Sequence, residues 1–190
     1  MNPTRIALFA SGNGSNALNI IKYFEDSSAV NVTFVLANSS KAGVVNAVQE
    51  LGVKTIVCTN DEAENDDYFV SICKEHQIDF IILAGFLRKI PASLIQAYPE
   101  RIINIHPSLL PKYGGKGMYG RFVHEAVALN KETESGITIH FVNEEFDKGK
   151  VIAQFSVHLS EDDTPTSIQS KVQQLEHQYF APVIEKTILV

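Results

Sequence analysis

Five short runs that are apolar at nearly every position recur along the first half of the chain, at 5–10, 31–37, 55–57, 80–83 and 101–105. A half-buried strand alternates apolar and polar residues; these runs do not, so they read as strands covered on both sides. Between them, apolar residues return every three or four positions, the spacing that gathers side chains on one face of a helix. Residues 16–24 do this with Leu18, Ile21 and Phe24, residues 42–51 with Val44, Val45, Val48 and Leu51, and residues 68–76 form a third such stretch. The alternation predicts an α/β fold: an open, mostly parallel sheet with right-handed crossovers and helices on both faces.

Beyond residue 132 the pattern changes. Residues 136–142 and 151–159 read as two strands joined by a polar turn, a C-terminal antiparallel hairpin extension of the sheet. A last helix is expected to open at Thr164 or Ser167 and run to about residue 186, with Ile168, Val172, Leu175 and Tyr179 as its buried stripe. The 190 residues are 45% hydrophobic and 20% charged, without internal repeats or linker-like stretches, so 1–190 is expected to be one domain.

The net charge of -6 and the lack of a basic run argue against nucleic acid as a partner. The apolar run near the N-terminus is too short for a signal peptide or a membrane span, so no membrane partner is expected and the location is expected to be cytoplasmic. Cys58 and Cys73 have no CxxC or zinc spacing and read as buried reduced thiols.

Ser11-Gly-Asn-Gly-Ser-Asn16 stands where the first strand becomes the first helix, at the carboxyl edge of the sheet, where open α/β folds bind ligands. The glycines permit close backbone approach, and the helix N-terminus favours an anion there; Ser15 and Asn16 could also cap the helix. Gly12-x-Gly14-x-x-Ala17 fits a dinucleotide fingerprint too. The second strand, however, ends Leu36-Ala-Asn-Ser-Ser40 without the acid that would hold a ribose, which favours a phosphate site in a Rossmann-like sheet. No Walker A motif occurs.

The fifth strand ends Ile102-Ile-Asn-Ile-His106-Pro107, with polar side chains at i and i+2. Period-2 geometry sends Asn104 and His106 to one side, and Pro107 stops the strand just after them. An amide N–H and an imidazolium aimed at one point suit a tetrahedral oxyanion, and histidine can carry a proton near neutral pH. No serine, cysteine or lysine has a nucleophile motif, so the expected chemistry is direct attack of a substrate group on a carbonyl. A carboxylate partner is expected from the turn after residue 142, where Glu144, Glu145 and Asp147 are equivalent on this reading. His140 divides between core packing and support of the site; His76, His124, His158 and His177 read as surface or helix residues. Without HExxH or paired-histidine spacing, no metal is expected.

In this order, Ser11–Asn16, Leu83-Ala-Gly-Phe-Leu-Arg88-Lys-Ile90, Ile103-Asn-Ile-His-Pro-Ser-Leu-Leu-Pro-Lys112, Gly136-Ile-Thr-Ile-His-Phe-Val142 and Asp147-Lys-Gly-Lys-Val-Ile152 resemble the glycinamide ribonucleotide transformylase family, the phosphoribosylglycinamide formyltransferases. The resemblance implies transfer of a formyl group from 10-formyltetrahydrofolate to the amine of glycinamide ribonucleotide in purine biosynthesis. It implies that Asn104 and His106 hold and protonate the oxyanion and that Asp147 is the acid that keeps the histidine charged. Gly14, Ser15 and Asn16 would hold the substrate phosphate, with Gln173 and Glu176 touching the ribonucleotide. Leu87, Arg88, Lys89 and Ile90, with Asn104 and the loop Asn143, Glu144, Glu145, Phe146 and Asp147, would line the folate site.

One departure stands out: where the family often has an arginine near the folate tail, this chain reads Asn65-Asp-Asp67, so no contact is carried over there. Methionyl-tRNA formyltransferase would add a basic C-terminal domain and formyltetrahydrofolate deformylase a regulatory domain before Ser11; the sequence as given leads us to expect neither. A phosphate-binding module without chemistry would leave Asn104 and His106 unexplained.

Overall fold

A computed structural model of the chain describes residues 2–65 and 67–189. It divides into two compact units, one taking in the chain up to Ile103 together with the stretch from Glu185 on, the other Asn104–Ile184.

The first unit carries β1 (Thr4–Ala10), α1 (Ser15–Phe24), β2 (Val30–Ala37), α2 (Gly43–Gln49), β3 (Thr55–Val57), α3 (Asn60–Glu64), α4 (Tyr68–Glu75), β4 (Phe80–Leu83) and α5 (Ala92–Ala97). β1 pairs in parallel with β2 and β4, and β2 with β3. Ile6 through Ala10 and Phe34 through Ala37 are fully buried, which is why these strands carry no polar face. Helix α1 buries Ala17, Ile20, Ile21 and Phe24. Leu18, expected on that stripe, is only half-buried, because the buried face is centred on Ala17, Ile20, Ile21 and Phe24 and Leu18 lies at its edge.

Helix α2 stops at Gln49, and the expected Leu51 falls beyond it, exposed. Two short helices escaped the periodicity because neither is long enough to repeat. α3 is fixed by a reciprocal cap in which Thr59 Oγ1 accepts from the Glu62 N–H and the Glu62 carboxylate accepts from the Thr59 N–H. α5 follows Pro91, whose ring presets the helix entry. Asp66, in the stretch where the family arginine is missing, lies outside the described residues.

The strand β5 (Ile102–His106) leads into the second unit, which continues with α6 (Arg121–Leu129), β6 (Glu134–Phe141), β7 (Val151–His158) and α7 (Pro165–Ile188). β6 and β7 form the expected antiparallel hairpin, with a register shift between Ile139 and His140. The strand order is β3-β2-β1-β4-β5-β6-β7, a mixed sheet that is mostly parallel. Thr164 and Ser167 cap α7 reciprocally. Its buried stripe is Ile168, Val172, Phe180, Ala181 and Ile184. Leu175 and Tyr179, expected there, are half-buried, and Tyr179 instead stacks on Phe155 of β7 at 3.8 Å.

Candidate active site

The turn after β1 is shaped by packing as much as by openness. Gly14 is the residue before α1, in a left-handed conformation (φ 76), and no side chain caps the helix. Ser15 and Asn16, expected as caps, lie inside the first turn, because Gly14 already occupies the cap position. A Cβ on Gly14 would run into the side chain of Val44 on α2, whereas one on Gly12 would meet open space. The Val44 N–H donates to the Gly12 carbonyl at 3.2 Å, so α2 holds the turn in place. Ser11 joins this turn to the segment after β4: its N–H donates to Gly85 O, and its Oγ accepts from the Leu87 N–H at 2.9 Å. In that segment Leu87 is exposed, Arg88 hydrogen-bonds Asn60, and Ile90 is buried in the core.

At the end of β5 the structure brings four polar side chains together. His106 is buried, and its Nε2 lies 2.7 Å from the Tyr113 carbonyl. A carbonyl can only accept, so that nitrogen carries hydrogen. Nδ1 faces the Asp147 carboxylate at 3.6 Å. His140, also buried, sits where the β6–β7 register shifts, with the extra residue, Ile152, on the β7 side. Its Nδ1 is 2.9 Å from the Phe141 carbonyl and its Nε2 is 3.1 Å from Asn104 Nδ2.

Burial lowers the His140 pKa from its ordinary value, and the Phe141 and Asp147 contacts oppose that only in part. The neutral ring therefore has its hydrogen on Nδ1, its Nε2 accepts, and the amide nitrogen of Asn104 must be the atom that faces it. His140 thus supports the site rather than merely filling the core.

Asp147 is the one acid of its turn that faces this cluster. Its Oδ2 accepts the Gly115 N–H at 2.8 Å and its Oδ1 is 3.7 Å from His140 Nε2. Glu145 is instead paired with Lys148 at 2.6 Å, and Glu144 is exposed. Asn143 shapes the loop, accepting from the Glu145 N–H and donating to the Lys148 carbonyl. Phe146 is exposed. Both residues that grip His106, Tyr113 (φ 55) and Asp147 (φ 56), are non-glycine residues in the left-handed region, a strained conformation that concentrates at functional sites. Gly149 lets the turn pass against Phe141: a Cβ there would strike the Phe141 carbonyl. Gln173 and Glu176 lie about one turn apart on α7.

His124, expected as a surface or helix residue, lies on helix α6 and is buried, at 4% exposure. Burial, and secondarily the charge of His106, push its pKa down to about 4, and its Nδ1 has no hydrogen-bond partner among the described residues. The signal was present: Val123 and Val127, the buried residues of α6, bracket it at helical spacing. Among the described residues no His, Cys, Asp and Glu group could hold a metal ion, and no helix is long and apolar enough to cross a membrane.

An amide, two imidazoles and a carboxylate at the strand ends of an α/β sheet are the equipment of a group-transfer site with acid–base support. A family model described as formyl transferase matches residues 4–184, and the chain belongs to that family. It is similar to the chloroplastic phosphoribosylglycinamide formyltransferase of Arabidopsis thaliana, with 38% identity over 95% of this chain and 64% of the plant protein. It is also similar to the phosphoribosylglycinamide formyltransferase of Bacillus subtilis (strain 168), 32% identical over 97% of this chain and 94% of that one. The crystal structure of phosphoribosylglycinamide formyltransferase from Bacillus halodurans superposes with a TM-score of 0.87 at 32% identity, covering 97% and 95% of the two chains. The chain thus spans just under two thirds of the plant relative's length and nearly all of the bacterial one.

Proposed function

We propose that this protein transfers the formyl group of 10-formyltetrahydrofolate to the amine of glycinamide ribonucleotide, N1-(5-phospho-D-ribosyl)glycinamide, in purine biosynthesis. The observation that carries this reading is the cluster of Asn104, His106, His140 and Asp147, which contact one another directly or through the shared carboxylate. The names of the relatives narrow the acyl group and the acceptor. The reading treats 1–190 as one formyltransferase domain, supported by a single family model that runs through both units. It places the protein in the cytoplasm, in keeping with two buried free cysteines.

In this reaction the amine nitrogen forms a bond to the formyl carbon while the bond from that carbon to folate N10 breaks. One proton leaves the amine and one is delivered to N10. Asn104, with one amide hydrogen held by His140, keeps its second N–H for the oxygen that becomes negative in the transition state. Because His106 Nε2–H is committed to Tyr113, an added proton resides on Nδ1. That proton faces Asp147 across 3.6 Å, longer than a hydrogen bond, so it can be shared with the developing oxyanion and then passed on. The negative Asp147 carboxylate stabilises the positive charge the ring acquires.

Gly14, Ser15 and Asn16 take the phosphate at the start of α1, with Gln173 and Glu176 on the ribonucleotide. Leu87, Arg88, Lys89 and Ile90 and the loop Asn143 to Asp147 take the folate. Purified protein given both substrates should release tetrahydrofolate and formylated ribonucleotide with saturation in each. Absence of transfer with a correctly folded sample would overturn the assignment.

A further inference from the structure

Behind the loop that follows β5 lies a cavity of about 250 Å³ that the reaction does not use. It is smaller than the roughly 300–1,000 Å³ of drug-sized sites, and has room for a single ring with one polar substituent. Leu109, Pro111 and Val127 give it apolar walls, while Glu132, Glu134 and Ser135 bring oxygen atoms to it. Ser135 is 3% exposed, and its hydroxyl has no hydrogen-bond partner among the described residues. An orphaned buried hydroxyl costs stability unless something bonds it.

The two carboxylates differ. Glu132 is already satisfied, taking Lys112 Nζ at 3.0 Å and the Tyr113 hydroxyl at 2.9 Å. Glu134 forms no ion pair among the described residues. Glu134 is exposed, so the cavity offers one solvated, unpaired negative charge, one buried hydroxyl and an apolar body.

Its wall is also the support of the catalytic histidine. Tyr113 binds Glu132 through its side chain and His106 through its carbonyl, at 2.7 Å. Two residues on, the Gly115 N–H holds Asp147 at 2.8 Å. A cation drawn to the carboxylates competes with Lys112 and the Tyr113 hydroxyl for Glu132, and whatever shifts Tyr113 shifts the group that fixes the His106 ring.

We propose that this cavity is a regulatory site for a small organic cation, an amine or amidine on a one-ring apolar body, whose occupancy lowers turnover by displacing the Tyr113 carbonyl from His106. The charge sits between Glu134 and Glu132, where it competes with the Tyr113 hydroxyl for Glu132, the ring lies against Leu109, Pro111 and Val127, and a donor on the ligand satisfies Ser135.

The test uses the full chain with benzamidine as probe and the neutral benzamide as control. Binding is followed by NMR of labelled protein without substrates, so the measurement holds whether or not formyl transfer is the reaction. Benzamidine should bind saturably, shift resonances of Tyr113 and His106, and bind at least fivefold tighter than benzamide. Glu134→Gln should weaken it about fivefold, and Ser135→Ala should weaken it less. In the transfer assay, benzamidine should lower kcat several-fold and leave both KM values unchanged; Glu134→Gln without benzamidine should turn over as the parent does. No saturable binding, equal binding of benzamide, indifference to Glu134→Gln, or competition with either substrate would each overturn the proposal.

Discussion

The segments that follow β1 and β5 are held by opposite means. The turn after β1 contains no ionisable side chain from Ser11 to Asn16, and its shape comes from backbone hydrogen bonds and from a glycine pressed against Val44. At the end of β5 the shape comes from side chains: two histidines, an amide and a carboxylate, held by two left-handed residues. The first region should fail by losing structure when it is altered. The second should fail by losing chemistry while its structure survives.

The largest expected effect belongs to the second region. Asn104→Ala and His106→Ala should each lower turnover by about 10²–10³, the usual loss for one preorganised oxyanion donor. On the proposal that both serve one oxygen, the double variant should be only modestly worse than the worse single one. Turnover at saturating substrates decides this. Fully multiplicative losses would mean separate roles, and near-parent turnover in either variant would remove that residue from the mechanism.

The matching experiment in the first region uses its two glycines. Gly14→Val places a branched side chain in a left-handed position and against Val44, and such overpacking costs about 1–3 kcal/mol. Thermal unfolding should show this as a drop of several degrees. Gly12→Ala has open space, should keep the melting temperature, and should raise the KM for the ribonucleotide if the phosphate lies against that backbone. If Gly14→Val were stable and only the ribonucleotide KM rose, Gly14 would serve the anion rather than α2, and the contrast between the two regions would collapse.

How far each region could be read from sequence follows from the same difference. Strands apolar on both faces leave a dense signal, and β3 and β4 coincide with the expected runs while β1, β2 and β5 begin or end within a residue of them. The period of two correctly put Asn104 and His106 on one side. It could not choose among Glu144, Glu145 and Asp147, because that choice is made by a left-handed turn and by Lys148 capturing Glu145. Nor could it show that Gly14 answers to Val44, thirty positions on, since packing between helices leaves no local trace. For His124, expected as a surface or helix residue, the helix was legible but the burial was not, although the valines at 123 and 127 mark the buried stripe it belongs to.

A finer probe of the second region is His140. Its unprotonated Nε2 fixes which end of the Asn104 amide faces inward. His140→Leu removes that acceptor without touching the reacting atoms, so kcat should fall about tenfold, equivalent to about 1.4 kcal/mol, with KM values little changed. His140→Gln, which keeps an acceptor oxygen, should recover part of the loss. Equal loss in both variants would reduce His140 to a packing residue.

The smallest effect tests whether buried neutral histidine is a structural cost of this site. His124 has its pKa lowered to about 4 and His140 is lowered in the same direction, both chiefly by burial. Below the ordinary histidine range near 6.5, the unfolded chain binds protons at these rings that the folded chain refuses, so stability should fall as pH drops from about 6.5 to about 4. Above that window the contribution is constant. Each such ring steepens the fall by at most about 1.4 kcal/mol per pH unit. His124→Leu places an apolar group where Nδ1 has no partner among the described residues, and it removes one of the two rings. The acid-side slope of melting temperature against pH should therefore be shallower in His124→Leu than in the parent. Comparing slopes rather than absolute stabilities cancels any packing change at neutral pH, and it cancels the carboxylates with lowered pKa, such as Glu132, that both proteins share. Identical slopes would show that His124 takes up its proton in the folded protein as readily as in the unfolded chain, and would place it in contact with solvent or with a partner for its Nδ1.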